Sequence, residues 1–350
     1  MLNGVVMEKH NGKKYSTAIL LNLVALLCFM GPALAAGVGQ VQESFLYSLS
    51  NFSGRLLYKY PSLAVDTARN EIFTVYQNEV TVFNDSGMEV FRFGDSMDLG
   101  QVLSVAVGPD NEILLLRYRE GKPSVLRCDY RGEPVGEITL AGIPEKYAGF
   151  NPNCMAFQDG RIYLASQTKM QVVIVEADGG FVKGFDIFDL LGLDEDKKGD
   201  IEMAGFTVDK QGNMLFTVPV LFTANIMAMD GTVKSFGKSG GAPGRFNIVA
   251  GMVEDSRGNY LVADKLKCAI IVFDKNFNFI KEFGYRGDKP DNLIVPQDMA
   301  IDQKDRIYVT QGRGRGISVF RLTYDDSSAD GEALGKVSQN KGGMPAESES

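Results

Sequence analysis

Short apolar runs, separated by polar turns rich in Gly, Asp and Asn, follow one another from residue 45 to residue 324. The runs are rich in Val, Ile, Leu, Tyr and Phe, which is typical of β-strands. No stretch of about 10–15 residues shows the 3.6-residue period of an amphipathic helix. The pattern therefore predicts an all-β fold.

The clearest of these runs recurs six times. Each copy has one apolar run before it and one or two after it, so the repeating unit contains four strands. The six copies are Ile72–Val75, Ile113–Leu116, Ile162–Ala165, Met214–Thr217, Tyr260–Ala263 and Ile307–Thr310. Four short strands repeated every ~40–50 residues are the sequence form of a β-propeller. We therefore predict a six-bladed β-propeller of four-stranded blades.

The sixth repeat lacks an obvious fourth strand after Phe320. An additional apolar run, Phe45–Leu49, precedes the first repeat. We expect this N-terminal strand to pair beside Ile317–Phe320 and close the ring, because closure removes the exposed strand edges that favour aggregation.

Two segments carry a family resemblance. Residues 249–264 read VAGMVEDSRGNYLVAD, and the link that precedes them, residues 236–246, contains the Gly-rich stretch FGKSGGAPGRF. Both resemble the NHL repeat, and the resemblance extends over roughly residues 45–324, most closely in the fourth to sixth repeats. It departs from the family at Ala269, where an Arg is common. The resemblance implies a six-bladed propeller of an exported bacterial type, and it specifies function only weakly.

The pattern of the N-terminal 36 residues is typical of a secretory signal peptide. Lys9, Lys13 and Lys14 precede an apolar stretch over residues 18–30, and Ala33-Leu34-Ala35 resembles a cleavage site. The apolar stretch is shorter than the ~20 residues of a spanning helix, which disfavours a membrane anchor. We therefore predict a signal peptide over 1–36, a propeller over 37–324 and a disordered tail over 325–350, in a protein exported to the periplasm or the cell exterior.

Composition excludes several kinds of chemistry. The chain has 350 residues and a formal net charge of −8, which disfavours general nucleic-acid binding. Its one histidine, His10, lies in the predicted signal peptide, so histidine-based catalysis and histidine-ligated zinc are not expected in the mature protein. Cys128, Cys154 and Cys268 remain after cleavage. Their predicted strand positions argue against a disulfide, and Cys268, beside Lys267, is expected to be the most reactive thiol.

The loops between the second and third strand of each blade are expected to lie on one face of the propeller. They are rich in cationic side chains and carry few acids, and the fourth blade adds an apolar tip. The predicted binding face comprises Arg117, Arg119, Lys122, Lys169, Lys265, Lys267, Arg313, Arg315, Leu221 and Phe222. A concave mouth would focus the field of such charges on an anion. The leading prediction is a non-catalytic, exported scaffold that docks a protein partner or an anionic ligand; a solvated basic rim without a partner is the alternative reading.

One carboxylate occupies an apolar position of the repeat. Glu254 takes the place held in the other blades by Val65, Val107, Phe157, Val208 and Ile301. Lactonase-type propellers hold a divalent cation with Glu, Asp and Asn in the channel. The alternative function is therefore a metal-dependent, lactonase-like hydrolase or lyase, with a cation such as Ca²⁺ held by Glu254, Asp298 and Asn153. The sequence also allows the interpretation that Glu254 is solvated or forms a salt bridge with a lysine.

Two other groups of acidic residues are predicted to have structural roles rather than to bind metal. The repeated Asp66, Asp209, Asp255 and Asp302 precede turns, so we expect them to accept turn N–H groups rather than to form a metal ring. The segment 194–200 is similar to a calcium loop but lacks the oxygen ligands expected at two positions, so an exposed acidic insert is the preferred interpretation.

Overall fold

The computed structural model describes residues 41–51, 54–55, 62–95, 97–108 and 112–325. These residues form six four-stranded antiparallel sheets and one two-stranded ribbon, as the repeat predicts. The predicted signal peptide over 1–36 and the predicted tail from residue 326 onward lie outside the described residues.

Each blade has its strands in chain order from the innermost to the outermost, and the sixth blade borrows its outermost strand from the N-terminus. Blades 1 to 3 contain β4 Ser62–Asp66, β5 Glu71–Tyr76, β6 Glu79–Phe83 and β7 Glu89–Phe93; β8 Gln101–Val107, β9 Ile113–Arg119, β10 Lys122–Cys128 and β11 Pro134–Ile138; and β12 Cys154–Gln158, β13 Arg161–Ser166, β14 Gln171–Glu176 and β15 Phe181–Asp186. Blades 4 to 6 contain β16 Ala204–Val208, β17 Met214–Val218, β18 Thr223–Met227 and β19 Val233–Phe236; β20 Val249–Glu254, β21 Tyr260–Asp264, β22 Ala269–Phe273 and β23 Phe279–Phe283; and β24 Pro296–Ile301, β25 Arg306–Gln311, β26 Ile317–Tyr324 and β1 Val41–Ser48. The ribbon is β2 Ser50–Asn51 with β3 Gly54–Arg55.

The N-terminal strand closes the ring at the predicted place. β1 pairs antiparallel with β26, and Phe45 lies opposite Phe320. The Leu49 N–H extends this pairing by donating to the Ile317 carbonyl at 2.9 Å. Blade 6 therefore contains strands from both ends of the chain.

The core lies between neighbouring blades. All five residues of β22 are buried, as are all five of β17, because the adjacent blades cover both faces of these middle strands. This double burial explains why the middle strands read as continuous apolar runs rather than as alternating ones. Most inner and outer strands are only partly buried, and β20, with five of six residues buried, is an exception.

The connection between blades 3 and 4 contains the one α-helix of the described residues, which the repeat does not predict. A short helix, α1 (Ile187–Leu190), is capped by the Asp186 carboxylate, and a 3-10 turn spans Glu195–Lys197. Residues 194–200 of this insert are exposed, and Lys197 pairs with Asp194 at 3.3 Å. No helix among the described residues is long and apolar enough to cross a membrane.

Antiparallel pairing within each blade divides the connections between two faces. Loops from the second to the third strand emerge on the same face as loops from the fourth strand to the next blade, because both lie where the first strand begins. We call this side the loop face and the opposite side the turn face. The sequence analysis placed the loops between the second and third strands on this face. The loops from the fourth strand to the next blade also lie there, and they comprise residues 94–100, 139–153, 187–203, 237–248 and 284–295.

Candidate functional site

The six innermost strands line a central channel of about 960 Å³. This volume is within the range of small-molecule sites. The channel begins on the loop face, where Asn153, Gln167, Glu202 and Lys265 line it, and it extends to Glu254 near the turn face.

Two glycines let three inner strands approach closely at the loop-face end. A Cβ at Gly251 would lie 2.8 Å from the Asp298 Cα, and one at Gly205 would lie 2.7 Å from the Gly251 Cα. Gly205 also has a φ of +59°, in the left-handed region that glycine favours. These positions place Asp298 level with Gly251 and Gly205.

Glu254 ends β20 at the turn-face end of the channel. Burial raises the pKa of its carboxyl to about 7, and the negative charges of Asp209 and Asp255 act in the same direction, while Lys210 opposes them. No lysine or arginine in the described part of the chain has a side-chain nitrogen within 4 Å of the Glu254 carboxylate. This carboxyl can exchange a proton near neutral pH.

The repeated aspartates cap their turns, which confirms the interpretation made from the sequence. Asp255 accepts the N–H groups of Arg257 and Asn259 at 2.9 and 2.8 Å. Asp66, Asp209 and Asp302 accept backbone N–H groups of their own turns in the same way. Their carboxylates therefore hold the turns.

Asp298 and Cys154 lie at the loop-face end of the channel and interact electrostatically. Burial raises the pKa of Asp298 to about 6, although its carboxylate accepts the Met299 N–H at 2.9 Å, which has the opposite effect. Burial, together with the Asp298 charge, raises the pKa of the Cys154 thiol to about 12. The thiol is therefore a weak nucleophile at neutral pH.

The residues proposed from the sequence as metal ligands do not come together. Asp298 lies level with Gly251, so Glu254 is three residues further along the strand, roughly 10 Å away. The Asn153 amide is engaged with Gln167, donating to its side-chain oxygen at 2.7 Å and accepting its N–H at 3.0 Å. Within the described ranges, no three Asp, Glu, Cys or His side chains are arranged to hold a metal ion. These residues do not fit a divalent cation.

The cationic residues of the predicted binding face differ in their accessibility. Arg117 is buried at 3% exposure, and its guanidinium lies 2.8 Å from the Glu137 carboxylate. Arg119 pairs with Asp98 at 2.7 Å. These acids lie outside the loops that the sequence analysis counted, so the excess of positive charge over blade 2 is smaller than predicted, and a surface partner cannot reach Arg117.

Blades 5 and 6 present a similar mixture. Lys267 is nearly buried and pairs with Glu282 at 2.9 Å, whereas Lys265 lines the channel, and burial lowers the pKa of its ammonium. Arg315 donates to the carbonyls of Lys289 and Asn292. Three further members of the predicted face are exposed: Lys122, Lys169 and Arg313.

The apolar tip of blade 4 is not formed by the two residues proposed for it. Leu221 and Phe222 are half-buried and pack against the cores on either side. Val220, the residue before them, is 57% exposed. The loop therefore presents its apolar tip at Val220 rather than at Leu221 and Phe222.

The sequence analysis missed the contribution of the loops that enter blades 5 and 6. Residues 237–248 contain Lys238, Arg245 and the exposed Ile248, and residues 284–295 contain Tyr285, Arg286 and Lys289. The rule that fourth-strand loops share the loop face could have identified them. With the neighbouring loops they form what we call the blade 4–6 patch: Val220, Lys238, Arg245, Ile248, Lys265, Leu266, Tyr285, Arg286, Lys289 and Arg313.

Hydrogen bonds join the loops of this patch. The Lys265 N–H donates to the Ile248 carbonyl at 2.8 Å, and the Lys267 ammonium donates to the Ala242 carbonyl at 2.9 Å. The Gly312 N–H donates to the Ile294 carbonyl at 3.0 Å. The first two bonds join the loops at blade 5, and the third joins the loops at blade 6. Gly284, packed close to the Cys268 carbonyl, brings these two pairs of loops together, and Gly237, packed close to the Phe222 carbonyl, adds the loop of blade 4.

Comparisons with known proteins show similarity of fold. The chain is similar to a Bacteroides thetaiotaomicron protein of unknown function (TM-score 0.59, 14% identity, 81% of this chain and 76% of that one). It is also similar to virginiamycin B lyase from Staphylococcus aureus, crystallised with quinupristin (0.52, 12%, 81% and 100%), and to a gluconolactonase from Xanthomonas campestris (0.53, 15%, 84% and 93%). No protein-family model and no curated protein matches the sequence. At these identities the similarity establishes the six-bladed propeller fold alone.

Proposed function

We propose that this protein is an exported, NHL-like binding propeller that docks an anionic partner on the blade 4–6 patch. The observation that carries the proposal is the juxtaposition, on connected loops, of exposed cationic and apolar side chains. An exposed apolar surface with an excess of one sign of charge around it is typical of an interaction site.

The distribution of acids over the loop face supports this location. Residues 237–248 contain two cationic side chains and no acid, and the acids of residues 284–295 are Asp288 and Asp291. The insert over 187–203, by contrast, is predominantly acidic. The loop face therefore has a positive side over blades 5 and 6, which an anionic partner would approach first.

Matched charge reversals test the proposal. In the patch variant, Lys238, Arg286 and Arg313 are changed to Glu; in the control, three exposed cationic residues of the turn face, Arg131, Lys275 and Lys304, are changed to Glu. The two variants have the same net charge. Partners captured by the unmodified protein and by the control, but lost from the patch variant, would support the proposal. Identical partners from all three proteins would overturn it.

A second function, catalysis in the channel, is favoured by one observation. Glu254, with a pKa of about 7, faces a cavity large enough for a substrate, and a carboxyl of this kind can act as a general acid or base. Two proteins of the same fold are a lyase and a gluconolactonase. Because the lyase is described as inactive in a histidine-to-alanine variant, its reaction does not transfer to a chain whose one histidine is His10.

A lactone and lyase substrate screen with unmodified protein and Glu254→Gln would test this second function. Turnover that follows a titration near pH 7 and disappears in Glu254→Gln would favour catalysis. Turnover that requires a metal would instead favour a metal-dependent hydrolase or lyase. Elemental analysis after dialysis would show whether that metal is bound stoichiometrically. No turnover in either protein would leave docking as the function.

A further inference from the structure

Four large apolar side chains project from the blade 4–6 patch. Val220, Ile248, Leu266 and Tyr285 are 57%, 41%, 65% and 51% exposed. They lie on four different loops, all on the loop face. Such exposure of apolar surface costs free energy in water unless another surface covers it.

The tip that carries Leu266 is held rigidly. The buried carboxylate of Asp264 accepts the N–H groups of Leu266 and Lys267 at 3.0 and 2.9 Å, and it also accepts the Asn247 N–H at 2.6 Å. One carboxylate thus fixes two loops of the patch relative to each other. Leu266 is therefore exposed to solvent on a turn that these hydrogen bonds hold in place.

Two of these apolar residues have cationic neighbours in the sequence. Lys265 and Lys267 flank Leu266 in the sequence, and Arg286 follows Tyr285. Lys267 is neutralised by Glu282, but Lys238, Arg245, Arg286, Lys289 and Arg313 are exposed and have no acidic partner within 4 Å in the described part of the chain. Apolar tips with cationic neighbours match the two layers of an anionic lipid surface, its charged headgroups and the hydrocarbon just below them.

We propose that the blade 4–6 patch docks on an anionic lipid surface, with Val220, Ile248, Leu266 and Tyr285 entering the interfacial layer. This inference rests on the proposed docking function and names the class of partner. A lipid surface suits the patch because its four apolar side chains come from four loops of one face and lie among a majority of cationic residues, the combination by which interfacial segments bind anionic membranes. Tyr285 provides the amphipathic ring that favours the membrane interface.

Vesicle co-sedimentation tests the inference with the full chain. Vesicles of phosphatidylglycerol and phosphatidylcholine are compared with vesicles of phosphatidylcholine alone. We expect binding to the anionic vesicles that weakens as salt is raised. Leu266→Asn should weaken it about five- to tenfold, since an apolar contact with the interface is lost. The Glu triple at Lys238, Arg286 and Arg313 should remove it, since each cation near an anionic surface contributes about fivefold.

Two controls isolate the patch from the rest of the chain. Val135→Asn removes a side chain of similar exposure, 57%, from the outer strand of blade 2, and the Glu triple at Arg131, Lys275 and Lys304 alters the turn face. All variants keep the same N-terminal segment, so its apolar stretch contributes equally to each measurement. We expect both controls to bind as the unmodified protein does.

The result that overturns the inference is a lack of binding to anionic vesicles, or binding that Leu266→Asn and the patch triple leave unchanged. If vesicles are not bound but the patch triple loses a captured acidic protein, the lipid inference fails and the docking function stands. If neither vesicles nor partners depend on the patch, both fail.

Discussion

At the scale of single residues, the channel chemistry depends on one substitution within a repeat. The repeat places an apolar residue at the end of most inner strands, and Glu254 replaces it in blade 5. The neighbouring Asp255, which caps a turn, is negatively charged, and so is Asp209. Both charges disfavour ionisation of the Glu254 carboxyl. The result is a carboxyl that binds a proton more tightly in the native protein than in the unfolded chain.

The first prediction concerns the pH dependence of stability. The pKa of Glu254 in the native state, about 7, is above its ordinary value of 4.5, so its contribution is most favourable below pH 4.5 and is lost as the pH rises through 7. Glu254→Gln stays neutral. We therefore expect it to be more stable than the unmodified protein at pH 8, by about 2 kcal/mol after allowing for solvent in the channel. The two proteins should converge near pH 4.5.

Urea unfolding of both proteins at pH 5 and pH 8 measures this difference. Glu133→Gln, which removes an exposed acid from a turn, is the control for the loss of one negative charge. A Glu254→Gln variant that is less stable at pH 8 would show that the carboxylate has a stabilising partner.

The second prediction concerns the thiols. Cys128, Cys154 and Cys268 are free, and Cys268 is 4% exposed, so the expectation that it is the most available thiol is wrong. Cys154 is partly exposed and lines the channel. We expect iodoacetamide to label Cys154 first, slowly at pH 8 and faster as the pH rises, because the pKa of the thiol is about 12. Mass spectrometry of native, partially alkylated protein gives the order, and labelling of Cys268 first would contradict it.

At the scale of elements, the turns are built from a repeated device. An aspartate at the first position accepts two backbone N–H groups, and in three of the described turns an asparagine four residues later donates to the same carboxylate. The hydrogen bonds satisfy donors that the strand ladder leaves unpaired. Sequence identified the device correctly because it depends on neighbouring residues alone.

A matched pair of turns gives the third prediction. Asp255 and Asp274 both cap a turn and both accept from an asparagine amide, but Asp255 is buried and also accepts the Tyr324 hydroxyl at 2.7 Å, whereas the Asp274 turn is exposed. Asp255→Ala should cost about 3 kcal/mol of unfolding free energy, because it leaves buried donors unpaired, and Asp274→Ala about 1 kcal/mol. Chemical denaturation compares them, and equal costs would show that burial has no influence.

At the scale of the whole molecule, two ends of the chain complete one blade. Phe45 of the N-terminal strand packs edge-on against Phe320 with ring centroids 5.7 Å apart, and Glu43 pairs with Lys281 of blade 5. These contacts join residues separated by most of the chain. The closed ring fixes the channel and the loop face at the same time.

The fourth prediction tests this closure. Phe45→Ala removes a ring from the seam and should lower the free energy of unfolding by about 2–3 kcal/mol. Val135→Ala, on the exposed outer strand of blade 2, should cost less than about 0.5 kcal/mol. Thermal unfolding separates the two, and a Phe45→Ala variant as stable as its control would indicate that β1 contributes little to closure.

The sequence by itself determined the features that depend on local order along the chain. The six-fold repeat of strands, the closing strand at Phe45–Leu49 and the aspartate caps follow from short-range patterns, because strand periodicity and turn hydrogen bonds involve residues close in sequence. Glu254 was also recognisable, since a charge in an apolar register of a repeat is visible in the alignment of its copies.

Only the tertiary structure decided which charges meet. The pairing of Arg117 with Glu137 and of Lys267 with Glu282 joins residues on different strands, and the separation of Glu254 from Asp298 depends on the register between blades 5 and 6. Charge is neutralised or exposed by neighbours in space, which a count along individual loops does not contain. The blade 4–6 patch became visible once the loops entering each blade were placed beside those within it.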